Sequence, residues 1–103
     1  MKYILVLGGT GAMGVHIVNI LSQNKDVQCY VTSRHVHNNF NNIKYLCGNA
    51  LDDNFIRNIL KFHKWDAIID FMKYKTNIFK QKMDLYLSST NQYFFLSSSV
   101  LRY

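Results

Sequence analysis

Five short apolar runs alternate along this chain with stretches whose apolar residues recur at helical spacing. Tyr3-Ile4-Leu5-Val6-Leu7 predicts a first strand over residues 2–7. A helix is expected from about residue 11 to 23, with Met13, Ile17, Ile20 and Leu21 on one face. A second strand is expected at Val27–Thr32, a polar, asparagine-rich loop at 33–42, and a third strand at Ile43–Cys47. Asp52 and Asp53 supply N-cap chemistry for a helix over residues 54–63, in which Phe55/Ile59 and Ile56/Leu60 are four apart and stack on one side. The fourth strand falls within residues 65–71. A helix over about 77–88 should turn Phe79, Met83, Tyr86 and Leu87 inward, and a fifth strand is expected at 92–97.

Strands alternating with helices read as consecutive βαβ units. Right-handed crossovers then give an α/β fold: a Rossmann-type doubly wound parallel sheet in three α/β/α layers, with strand order 3-2-1-4-5. With 103 residues the chain has the length of one domain.

The first strand runs into Gly8-Gly9-Thr10-Gly11-Ala12-Met13-Gly14 and then into the first helix. Strand, glycine turn and helix in that order form a dinucleotide-binding fingerprint. Gly8 and Gly9 allow a tight turn off the strand, Gly11 allows backbone to approach a pyrophosphate, and Gly14 allows close packing of helix on sheet. The helix N-terminus offers unpaired N–H groups and positive dipole to phosphate.

Twelve basic and six acidic residues leave a net charge of +6, which suits anionic partners such as a dinucleotide. Lys73, Lys75, Lys80 and Lys82 form the densest basic stretch, expected as a solvated helix face. Cys29 and Cys47 make neither a disulfide framework nor a metal pattern. Both are expected as small buried hydrophobes, close to each other on neighbouring strands and unbonded. The four histidines show no ligand spacing, so no metal is expected. With no apolar run long enough for a signal peptide or a membrane span, the expectation is a cytoplasmic protein without a membrane partner.

The glycine loop, the polar-then-basic end of strand two, Gly48-Asn49 after strand three, and Phe95-Leu96-Ser97-Ser98-Ser99 closing strand five together resemble one family. It is the short-chain dehydrogenase/reductase superfamily, in its extended or atypical NAD(P)-dependent epimerase/dehydratase branch. The likeness covers the whole chain but only the N-terminal part of such a protein. It implies a domain cut before the remaining strands and the substrate-binding region. Ser99 is the match to the family's catalytic serine or threonine. The family's Tyr-x-x-x-Lys pair, in which lysine lowers the tyrosine pKa, has no counterpart here, and Tyr103 does not supply it. These residues alone are therefore not expected to turn over substrate.

NAD-preferring relatives carry a carboxylate after strand two that accepts from the ribose hydroxyls. This chain has Ser33 and Arg34, a donor and a fork of charged donors, which favours NADP over NAD. Asn49, in place of a family aspartate, can accept from the adenine amino group. Ala50, Phe71 and Met72 complete the expected cofactor contacts. In the intact protein, hydride transfer on a substrate such as a nucleotide-sugar is implied.

Two other readings stand beside this one. The first is a non-catalytic relative that senses dinucleotide redox state or binds RNA through the Lys73–Lys82 stretch, with bases stacked on Tyr74 or Tyr86; nucleic acid is the less expected partner. The second is an interaction module that self-associates through the apolar strand edge at 93–96.

Overall fold

A computed structural model describes residues 1–8, 11–72 and 76–95. In chain order it contains β1 (Lys2–Leu7), α1 (Ala12–Ser22), β2 (Val27–Ser33), β3 (Ile43–Cys47), α2 (Asp53–Leu60), β4 (Ala67–Asp70), α3 (Thr76–Leu87) and β5 (Tyr93–Phe95). The strands form one parallel sheet in the order β3-β2-β1-β4-β5, as expected. β1 and β3 keep their expected bounds, and β2 runs one residue further, to Ser33. Residues 96 and 97, expected in strand five, lie outside the described residues.

Alternation along β1 divides the core in two. Leu5 and Leu7 point to one face, where they meet Ile56, Ile59, Trp65, Ile68 and Tyr86 beneath α2 and α3. Val6 points to the other, where it joins Val18, Val27, Cys29, Val31 and Ile43 beneath α1. β1 is the central strand, so both of its faces are covered, and Leu5, Val6 and Leu7 are fully buried. α2 begins at Asp53, one residue before the expected bound, capped by Asp52, which accepts a hydrogen bond from the Asn54 N–H at 2.9 Å. Its end comes at Leu60, three residues short of the expected bound.

Both other helices match the expected faces only in part. On α1, Met13 and Ile20 are half exposed, while Gly14 and Val18 are buried and Ile17 and Leu21 half-buried. On α3, Tyr86 is buried as expected and Met83 half-buried, but Leu87 is half exposed and Leu85 packs against the core instead. The side chain of Phe79 lies outside the described residues.

Lys82 is no solvated lysine: it is 4% exposed, and its ammonium pairs with the Asp53 carboxylate in the first turn of α2. Tyr86, which the RNA-binding reading would need as an exposed stacking platform, is fully buried. Lys73, Tyr74 and Lys75 lie outside the described residues.

The cysteines are unbonded and Cys29 is buried, as expected, but Cys47 and the distance between them differ from expectation. Cys29 is buried, and burial pushes its thiol up to about 12. Cys47 is exposed. The two are not close, because Cys29 pairs with Ile43 and Cys47 with Ser33, at opposite ends of the β2–β3 ladder. A fold-setting residue that the sequence did not single out is Asn42. Its amide donates to the carbonyls of Leu21, Asn24 and Val27 at 2.9, 2.9 and 2.6 Å, tying the end of α1 and the start of β2 to the start of β3.

Candidate functional site

Because the strands run parallel, their C-terminal ends collect on one side of the sheet, where open α/β sheets bind ligands. β1 leaves the sheet at Gly8, whose φ of +72° belongs to the left-handed region that glycine adopts without cost. A Cβ at Gly8 would also stand 2.8 Å from the Met72 sulfur. The Gly8 N–H donates to the Thr32 hydroxyl at 3.1 Å, so the end of β2 fixes the turn after β1. Thr32 is buried, and its hydroxyl is used in that bond.

Gly11 is the N-cap of α1, in extended conformation and without a side-chain cap. No acidic residue stands in the first turn of the helix. Its leading N–H groups and positive dipole therefore face outward uncompensated by any carboxylate of the helix itself. A Cβ built on Gly11 meets nothing within 4 Å, so the space in front of it is open. Met13 is half exposed on this helix, and Gly14 is buried. Gly9 and Thr10 lie outside the described residues, as does the side chain of Ala12.

At the strand ends is a cavity of about 210 Å³ lined by Gly8, Thr32, Ser33, Arg34, His35, Gly48, Ala50 and Met72. The ends of β1, β2, β3 and β4 all contribute to it. Ser33 is buried, and its Oγ accepts the His35 N–H at 3.1 Å, so its O–H proton is left to donate. Arg34 is exposed; among the described residues no carboxylate pairs with its guanidinium. The Gly48 N–H donates to the Ser33 carbonyl at 2.8 Å, and the exposed Cys47 thiol donates to the Arg34 carbonyl at 3.6 Å. The lining contains no carboxylate. Its donors are backbone, hydroxyl, imidazole and guanidinium, a set matched to an anion.

The structure thus gathers Gly8, Ser33, Arg34, Ala50 and Met72 around one cavity. Asn49 and Phe71 do not line it. The Asn49 Oδ1 accepts the Leu51 N–H at 2.9 Å, which closes the turn into α2. Phe71 packs half-buried against the α1-side core. Ser99 lies outside the described residues. Three lining residues were not singled out as site residues from sequence. Thr32 and Gly48 flank named ones, and the 2-1 and 3-2 strand adjacencies were the signal for both. His35 follows Arg34 directly.

At the end of β4, Asp70 is fully buried. Its carboxylate accepts the Tyr93 hydroxyl at 2.7 Å and the Met72 N–H at 2.8 Å, which holds Met72 at the cavity wall. Burial, with the Asp70 charge beside it, holds the Tyr93 phenol protonated far above its ordinary range. Among the described residues no group of three or more His, Cys, Asp or Glu could hold a metal ion, and no helix is long and apolar enough to cross a membrane.

The fold and this site define a dinucleotide-binding α/β domain, and comparison with known proteins assigns its family. The model of the NAD dependent epimerase/dehydratase family matches residues 4–92, so the chain belongs to that family. The family implies a nicotinamide dinucleotide as cofactor. A short chain dehydrogenase family protein from Francisella tularensis is similar in structure, with a TM-score of 0.70 and 17% identity over 92% of this chain and 50% of its own. An oxidoreductase from Lactococcus lactis has a TM-score of 0.67 and 22% identity over 93% of this chain and 48% of its own. dTDP-glucose 4,6-dehydratase from Bacillus anthracis, solved in complex with NAD, has a TM-score of 0.65 and 14% identity over 94% of this chain and 37% of its own. This chain therefore spans about half or less of the length of these three structures. No curated protein sequence matches the chain.

Proposed function

We propose that this chain is the cofactor-binding portion of an NAD(P)-dependent oxidoreductase or nucleotide-sugar epimerase/dehydratase, and that it takes NADP in preference to NAD. The observation that carries the reading is the carboxylate-free cavity at the strand ends, and an α1 N-terminus without a side-chain cap supports it. The open space before Gly11 and the leading N–H groups of α1 suit a pyrophosphate. Ser33 and Arg34 suit a phosphate on the adenosine ribose, where an acidic residue would repel it. Ala50 and Met72 suit the flat apolar face of the adenine ring. When bound, the nicotinamide gives or takes a hydride. The residues of this chain bind and orient the cofactor, and Ser99 is proposed as the group that hydrogen-bonds a substrate oxygen.

Parallel titrations of the chain with NADPH and NADH, followed by cofactor fluorescence, test this reading. NADPH should bind more tightly. Arg34→Ala should weaken NADPH about tenfold or more and leave NADH nearly unchanged, the loss of a charge-assisted contact. Equal loss for both cofactors would remove Arg34 from the phosphate. Binding of neither by a folded chain would overturn the reading.

A further inference from the structure

At the end of the sheet where the strands begin, the surface carries a second basic region, built from lysines. Lys2 opens β1, Lys25 precedes β2, Lys44 is the second residue of β3, and Lys61 and Lys64 flank the turn between α2 and β4. All five are exposed, and among the described residues none forms an ion pair, the one such pair being Lys82 with Asp53. Two aspartates share this end, and one of them, Asp66, accepts the Tyr3 N–H at 2.8 Å.

Amid these lysines Phe62 is 51% exposed, on a turn held by its own N–H bonding to the Ile59 carbonyl at 3.0 Å. Its inner edge meets Tyr30, over whose ring the Lys44 ammonium stands at 5.9 Å. The neighbouring rings are engaged with one another. Tyr3 and His63 stack at 4.0 Å, and the Tyr30 hydroxyl bonds the His63 Nε2 at 3.0 Å. One apolar tip is therefore presented on a rigid base within a field of ammonium groups that have no ion-pair partner among the described residues.

We propose that this end of the molecule docks on an anionic lipid bilayer, with Phe62 entering the headgroup boundary and the five lysines facing the acidic headgroups. Reversible membrane attachment takes two signals, an apolar insertion and a basic cluster of about four to eight residues. Both are present on this surface. Single-stranded nucleic acid, the other polyanion, is held by successive stacking platforms, and here one ring is offered. The geometry also leaves the cofactor cavity, at the opposite ends of the strands, turned toward solution.

Co-sedimentation of the full chain with vesicles of phosphatidylcholine alone, or with about one-third phosphatidylserine, tests the proposal. Binding is expected to the acidic vesicles only, and to vanish at high salt. Lys61→Glu combined with Lys64→Glu should lower it by roughly tenfold or more. Phe62→Ser should lower it severalfold and Lys80→Glu, on exposed α3, should leave it unchanged. These side chains are exposed, and circular dichroism of each variant checks that the fold is kept. No preference for acidic vesicles by the unaltered chain would overturn the proposal. So would binding insensitive to Phe62→Ser and the double lysine change. A dT20 oligonucleotide bound through the same lysines, without acidic-vesicle binding, would assign the surface to nucleic acid and overturn it likewise.

Discussion

The two ends of the sheet are built from different materials. Where the strands finish, the chain uses glycine, backbone N–H groups and short hydroxyls, and it leaves open space before Gly11 and a cavity over Gly8, Gly48 and Ala50. Where they begin, it uses rings and amides that touch on every side: Trp65 under Tyr30 and His63, and Asn42 holding three carbonyls. Parallel strands bring the loops that bind to one end and free the other for holding the sheet together. Cohesion and binding should therefore be separable by mutation.

The largest effect is expected at the packed end. Trp65 is 1% exposed, and Trp65→Ala should cost about 3–5 kcal/mol in chemical denaturation. The fraction that stays folded should still bind dinucleotide with unchanged affinity. Trp65→Phe should cost much less, because the indole N–H is buried without a partner among the described residues and the ring keeps most contacts. Equal losses for the two would contradict the packing role.

An intermediate effect is expected at Gly48, which belongs to the cavity end but is closed from behind. A Cβ there would stand 2.4 Å from the Phe55 ring, so Gly48→Ala should destabilise by about 1–3 kcal/mol through overpacking. Phe55→Leu added to it should recover part of that loss, a coupling that a double-mutant cycle reads directly. Additive losses would show that the ring is not the obstacle.

The smallest effect concerns the clasp between α2 and α3. The Lys82 ammonium holds the Asp53 carboxyl below its ordinary 3.8. A lowered folded-state value means that the contribution is complete above about pH 4 and is lost as pH falls through the lowered value. Asp53 is largely exposed, so its effect is small, and the gap in melting temperature between the unaltered chain and Asp53→Asn should close as pH is taken from 7 toward 3. A constant gap would mean that charge plays no part.

The strand order was legible because each apolar run is short, bounded and separated from the next by a helix or a polar loop, which parallel connections require. The tight turn at Gly8 was legible because it is local: its φ of +72° needs no distant partner. What depends on distant partners was not. α1 carries apolar residues on more than one side, at Met13, Val15, Ile17, Val18, Ile20 and Leu21, so periodicity could not choose the buried stripe. Lys82 reads as a solvated charge until Asp53, 29 residues away in sequence, is brought beside it. The Asn49 side-chain carbonyl accepts the Leu51 N–H, and the cavity wall falls to its neighbour Ala50, a placement the residue types alone do not give.

Gly11→Asp tests the binding end most directly, with NADPH titration and thermal melting on the same samples. The backbone at Gly11 is extended and its Cβ position is empty, so an aspartate fits there and can cap α1, with stability unchanged or raised by a few tenths of a kcal/mol. That same carboxylate would occupy the N–H groups offered to the pyrophosphate, and NADPH affinity should fall by roughly tenfold or more. Undiminished binding by the stable variant would contradict the placement of the dinucleotide at the N-terminus of α1.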